Sequence, residues 1–260
     1  MHWSKSILIG ATAIALFPMS AVAEERGFYF ALGAGVEYGP EYQGSDQYEF
    51  SPIPLIELGY NFGNPWDTSI AFVGDGLELT VYADDRFSFG AGVGYGGGRD
   101  SGDNAIFGGL QDIDDGVTVS VFGFYAPVDY LSFDLGVTKF TDGTEGLEAN
   151  LGVSTGIPVT DRFEIGFSLG TTYMDDDAAQ GFFGVTNAQS AASTAGLAPF
   201  NASGGFTSVE LTIDFGYEFT ENIFGVASIG ASKLIGDAKD SPFTKDDINP
   251  SVSVGLIYEF

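Results

Sequence analysis

The last ten residues alternate with a period of two. From Ser251 to Phe260, the residues Val252, Val254, Leu256, Tyr258 and Phe260 share one parity; Ser251, Ser253, Gly255 and Glu259 share the other, interrupted only by Ile257. Successive side chains of a strand point to opposite faces, so this segment has one apolar face and one small or polar face. A soluble sheet could show such a segment once. This chain repeats it about a dozen times, and repetition on that scale predicts a barrel whose apolar face meets lipid.

The same parity recurs upstream. Phe28, Phe30, Leu32, Ala34, Val36 and Tyr38 alternate with Gly33, Gly35 and Glu37. Phe87 to Tyr95, Leu147 to Ile157, Phe163 to Tyr173 and Val209 to Phe219 follow the pattern. Each run has about 9 to 11 residues, the length a tilted strand needs to cross a bilayer. Weaker alternation places strands at 48–61, 67–74, 77–83, 116–126, 129–139 and 222–233, although 67–83 also reads as one interrupted strand. Within 222–233 the apolar parity switches between Val226 and Ile229, which predicts a bulge. The expected fold is all-β: a closed antiparallel transmembrane β-barrel of twelve strands. With the N-terminus in the periplasm, the connections sort by side. Those at 62–66, 84–86, 127–128, 158–161 and 220–221 are short periplasmic turns; those at 98–115, 174–205 and 234–250 are long outer loops, as in bacterial outer-membrane barrels. Aromatics near the strand ends, among them Tyr38, Trp66, Tyr95, Tyr130 and Phe260, suit interfacial girdles.

The first 23 residues read as a secretory signal. Lys5 gives a positive start, Ile7 to Phe17 an apolar run too short to span a membrane, and Ala21-Val22-Ala23 a cleavage site. The expected mature barrel is 24–260, destined for the outer membrane of a Gram-negative cell. No later stretch has the roughly 20 consecutive apolar residues of a membrane helix. Loss of Lys5 takes the net charge from −27 to −28. That charge excludes a nucleic-acid partner, which requires basic patches. The 24 Phe and 12 Tyr equally exclude a disordered acidic polymer.

The sole His, His2, leaves with the signal, and Cys is absent. The mature chain therefore lacks the Ser-His or Cys-His pair of nucleophilic catalysis, and it lacks the usual zinc ligands. No cofactor is expected, and no spacing singles out a carboxylate pair of the kind that hydrolyses glycosides. Gly90-Ala91-Gly92-Val93-Gly94 resembles a nucleotide-binding run, but it lies inside an alternating strand with no helix after it. Acids cluster at the outer rim: Asp100 and Asp103; Asp112, Asp114 and Asp115; Asp175 to Asp177; Asp240, Asp246 and Asp247. Oxygen ligands suit divalent cations, but no EF-hand spacing occurs, and solvated loops account for the charge more simply.

Glu37, Glu57, Glu78, Glu148, Glu164, Glu210, Asp214 and Glu218 carry the inward parity, with few basic residues to pair with them. Acids lining a pore favour cations, which supports a diffusion channel. Small barrels are filled by side chains and those of about 16 to 18 strands hold open water. Twelve strands lie between these regimes.

The loops add what periodicity does not. Pro40-Glu41-Tyr42-Gln43-Gly44-Ser45-Asp46, followed by Pro52-Ile53-Pro54-Leu55, opens a series of motifs. Gly98-Arg99-Asp100, Gln180 to Thr186 with Phe183-Gly184 at its centre, Ala188-Gln189-Ser190, and Asp237-Ala238-Lys239-Asp240-Ser241-Pro242 follow in order, with Tyr258-Glu259-Phe260 at the end. Together they resemble the MipA/OmpV family of outer-membrane proteins, across essentially the whole mature chain. The resemblance implies a non-enzymatic scaffold that links murein-remodelling enzymes, a lytic transglycosylase (a murein hydrolase) and a murein synthase. Other family members are associated with adhesion or antibiotic response, so an adhesin acting through its outer loops is a further expectation.

Overall fold

The computed structural model describes residues 26–74 and 76–260; the expected signal segment lies outside them. Twelve strands form one closed antiparallel barrel in which each strand pairs with its sequence neighbours and the first pairs with the last. They are β1 (Gly27–Pro40), β2 (Tyr48–Asn61), β3 (Ser69–Val73), β4 (Gly76–Ala83), β5 (Phe87–Gly96), β6 (Gly116–Val128), β7 (Leu131–Phe140), β8 (Gly146–Thr160), β9 (Phe163–Met174), β10 (Gly205–Thr220), β11 (Ile223–Leu234) and β12 (Ile248–Glu259). The 67–83 region is thus two short strands. No helix among the described residues is long and apolar enough to cross a membrane.

Period-two sequence becomes an inside-out wall. Val252, Val254, Leu256 and Tyr258 are exposed on the exterior, whereas Asn249 and Gly255 on the opposite parity are buried. Hydrocarbon covers that exterior, and closure leaves almost no free backbone edge. Exposed aromatics collect at two levels: Tyr38, Phe50, Tyr95 and Tyr173 at the outer end, and Phe28, Trp66, Tyr125, Tyr130 and Phe260 at the periplasmic end. Small inward residues let strands and side chains approach closely; a Cβ on Gly33 would lie 2.4 Å from the Leu256 carbonyl oxygen.

One expectation fails. The β10–β11 register is unbroken from Ser208↔Leu234 to Glu218↔Phe224, so no bulge separates Val226 from Ile229. The bulge on that pair lies at Glu218/Thr220 instead. Parity switches because Phe224 and Val226 keep the inward register and are apolar. With Ile257 of β12, which interrupted the C-terminal alternation, they make this part of the inner wall apolar, and Val226 and Ile257 line the cavity there.

The outer loops fold together. α1 (Asp176–Phe183) and α2 (Asn187–Ala192) occupy the β9–β10 connection, and α3 (Gly236–Asp240) the β11–β12 connection. Asp175 starts α1 by accepting the Ala178 N–H, and Thr186 with Gln189 forms a capping box on α2. The short helix expected within Ala188–Ala198 is therefore found at Asn187–Ala192, two turns at most.

Candidate functional site: a roofed, acid-lined lumen

The family-motif loops, far apart in sequence, converge in one structure over the outer mouth. Its core is apolar: Phe107, Leu110, Met174, Phe183, Val185, Leu197, Leu234 and Phe243 are buried, with Tyr42 and Phe182 packed on them. Rings lock its centre; Phe107 lies edge-on to both Tyr42, at 4.8 Å, and Phe243, at 5.5 Å.

Polar groups tie the loops across this core. The Gly44 N–H donates to Asn249 Oδ1 at 2.8 Å, and Asn249 Nδ2 donates to the Ser45 carbonyl at 3.1 Å. The Tyr42 hydroxyl donates to the Phe243 carbonyl at 2.9 Å. Burial first, then the Asp46 and Glu41 carboxylates, push that phenol above its ordinary pKa. Ser241 Oγ, itself buried, donates to the Phe183 carbonyl at 2.7 Å. Gly98 N–H donates to Asp115 Oδ1, and Ser203 N–H to Asp237 Oδ2, each at 2.8 Å. Gly184 closes α1 through its N–H to the Gln180 carbonyl. Gly44 adopts φ +93, and a Cβ there would press on Thr244 and Leu234, so the turn requires glycine. Pro40 ends β1 at the rim of the lumen. Pro242 offers its carbonyl to Lys245 Nζ. Asp46 and Asp100 are exposed, and Asp100 only steadies its own turn through the Gly102 N–H.

The rim acids are used the same way: Asp112, Asp176 and Asp246 accept N–H groups of Ser101, Gly204 and Ile248. Among the described residues no group of three metal-ligating side chains converges.

Arg99 stands apart. Its guanidinium lies 5.0 Å over the Phe107 ring and 5.4 Å from that of Phe243. All three nitrogens are buried without a hydrogen-bond partner. Burial lowers its pKa from the ordinary arginine value. The Gly98-Arg99-Asp100 motif marked the position, but nothing in the sequence pointed to the two phenylalanines, 8 and 144 residues downstream.

Beneath the roof lies a cavity of about 430 Å³, lined by Tyr42, Arg99, Phe107, Phe182, Phe183 and Phe243 above and by wall residues below. Glu37, Glu210 and Asp214 line it. Asp214 is buried and accepts from the Ser228 and Ser168 hydroxyls. Glu57 and Glu78 stand lower on β2 and β4, Glu148 takes an Asn150 Nδ2–H at 2.9 Å near the outer end of β8, and Glu164 and Glu218 stand near the periplasmic rim. These acids spread along the axis; they form no single ring. Glu49 and Asp134 share the inward parity and join them, as does Glu259, which the C-terminal alternation already placed on the polar face.

The family model for "MltA-interacting protein MipA" matches residues 32–260. The chain belongs to the MipA family. No curated protein matches it in sequence. Among solved structures it is similar to the COG4313 outer membrane channel from Pseudomonas putida F1, at 12% identity and a TM-score of 0.54, covering 94% of this chain and 100% of that one. A KdgM porin is also similar, at 11% identity and a TM-score of 0.46, covering 88% of this chain and 99% of that one. The fold shared with that channel is an outer-membrane barrel, and the outer membrane is where this family member resides.

Proposed function

We infer that this protein is a non-enzymatic docking platform of the outer membrane that gathers murein-remodelling enzymes, a lytic transglycosylase and a murein synthase. Family membership across residues 32–260 carries the reading, because the family is described by interaction with MltA. The geometry agrees in one respect. The roof occupies the outer face, so a murein enzyme meets only the periplasmic turns. The largest, between β2 and β3, is rigid: Asn64 Oδ1 accepts the Trp66 N–H at 2.9 Å, Asn61 Oδ1 accepts the Gly63 N–H at 2.7 Å, and Asp67 holds φ 46. It presents Trp66, which is 65% exposed. Aromatic anchors on rigid supports are typical of binding hot spots. Capture from detergent extract of cells expressing the full barrel tests this. Recovery of a transglycosylase or synthase, reduced at least tenfold by Trp66→Ala, is expected; recovery of neither enzyme refutes the reading.

A second reading, a cation-preferring pore, draws on the acids that line the cavity. It requires the roof to move. Planar-bilayer recordings decide it: the intact protein is expected to be silent, whereas deletion of 178–203, which removes Phe183, Val185 and Leu197 from the roof core, is expected to give cation-selective current. Silence of both proteins removes the reading.

A further inference from the structure

The barrel wall has a slot. β3 and β4 are short, with 5 and 8 residues, and the pairing of β3 with β2 covers only Glu57–Asn61, opposite Val73–Ser69. β4 in turn pairs with β5 no higher than Val93. Above the β3–β4 turn, β2 from Tyr48 to Ile56 and β5 from Gly94 to Gly96 therefore have no strand partner among the described residues on the sides that face each other. Two missing half-strands leave roughly 14 Å between β2 and β5, at a strand spacing of about 4.8 Å.

The sequence suits this edge. The Phe260 N–H donates to the Phe30 carbonyl, so even residues of β1 turn their backbone groups toward β12 and odd ones toward β2. By register, Pro52 and Pro54 then aim their ring nitrogens away from β1, into the slot. Proline removes two donors where hydrocarbon offers no acceptor and spoils the edge for addition of another strand. Phe50, 72% exposed, packs on Tyr38 at 4.8 Å in the outer aromatic girdle. Residues 51–56 consequently lie below it, at the depth of the outer-leaflet acyl chains. Their inward members, Ile53 and Leu55, line the roofed cavity, and Arg99, three residues beyond β5, lines its top.

We propose that the slot admits an anionic amphiphile sideways from the outer leaflet, its tail along Ile53 and Leu55 and its carboxylate or phosphate head on Arg99. This goes beyond the docking reading and stands independently of it. The roof blocks the axial route from outside, so the slot is the way by which an apolar chain reaches the lumen. Arg99 supplies an unpaired buried guanidinium, which an oxyanion completes. Glu37, Glu41, Glu49, Asp103, Glu210 and Asp214 line the same cavity and oppose negative charge, so the proposed head carries one charge and sits directly on Arg99.

The absence of cysteine permits site-specific labelling with a bimane fluorophore. Leu55→Cys reports the slot, Leu256→Cys the lipid face, and Ser154→Cys the lumen wall away from the slot. The labelled full-length barrel is placed in vesicles of brominated phospholipid, or in plain vesicles titrated with bromododecanoic acid. Quenching of the Leu55→Cys label to at least half that at Leu256→Cys, with the Ser154→Cys label spared, is expected. Quenching in brominated vesicles identifies membrane lipid as the occupant; quenching by the fatty acid alone identifies a free amphiphile. Arg99→Gln should weaken the occupant's effect on the Leu55→Cys label at least tenfold, and Arg99→Lys should retain most of it. Heat-modifiable gel mobility checks that each variant is folded. A Leu55→Cys label protected from both quenchers overturns the slot, and unchanged quenching in folded Arg99→Gln overturns the assigned head-group contact.

Discussion

The wall and the roof solve the same problem in opposite ways. In the wall, apolar residues such as Leu256 and Val254, each 56% exposed, face outward and small or acidic residues face in. In the roof, Phe183, Val185 and Leu234 are 2% exposed or less, and Ser241 and Asn249, buried beside them, are hydrogen-bonded. One chain thus carries an inverted core for lipid and an ordinary core for water. The wall needs no buried apolar cluster because its backbone ladder is closed. The roof lacks a ladder and depends on side-chain packing, with specific polar ties between loops.

The sharpest way to break this contrast is to remove one ring from the roof. Phe183→Ala should cost about 3–5 kcal/mol locally. Limited proteolysis should then cut within 176–204 while the barrel keeps its heat-modifiable mobility; loss of both together would show that roof and wall are a single unit. The reciprocal change is Leu256→Arg, which places a charge in lipid and should cost about 2–4 kcal/mol of barrel stability. It is read by urea refolding titration, with the roof's protease resistance unaffected once the barrel has folded. A smaller effect is expected for Ser241→Ala, which leaves the buried Phe183 carbonyl without its donor, at about 1–3 kcal/mol. The same proteolysis assay ranks it below Phe183→Ala.

The smallest effect lies at the periplasmic turn. Asp84 accepts from the Tyr82 hydroxyl and from the N–H groups of Arg86 and Phe87, in that order of influence, and these hold its carboxyl below its ordinary pKa. A lowered folded value stabilises above the unfolded pKa of about 4 and is lost as pH falls through the folded value. Thermal midpoints of wild type and Asp84→Asn should therefore differ at pH 7 and converge at strongly acidic pH. A difference that persists there would assign the turn's contribution to shape alone.

Deletion of 178–203, which a search for an adhesive surface would suggest, removes part of the roof core. It unroofs the lumen as well as shortening a loop, so reduced attachment by that variant would not isolate an adhesive surface.

Strand spans and wall faces were legible because parity is local: each residue's side is set by its neighbour two positions away, and lipid imposes that rule on every strand. The misplaced bulge in β11 shows the limit of parity, since Phe224 and Val226 keep the inward register although they are apolar, and only the strand pairing reveals it. The motif loops could be named from sequence, but not their meeting; Gly44 and Asn249 are bonded across 205 positions. The slot likewise lay beyond reach. Pro52 and Pro54 stood in the sequence as part of a family motif within β2; only the register shows that β3 stops below them. What the order of residues determined was a twelve-stranded wall of one family. What tertiary structure alone decided was where the wall is left open, what covers its mouth, and which buried cation lies there without a hydrogen-bond partner, because each of these depends on groups brought together by closure of the cylinder.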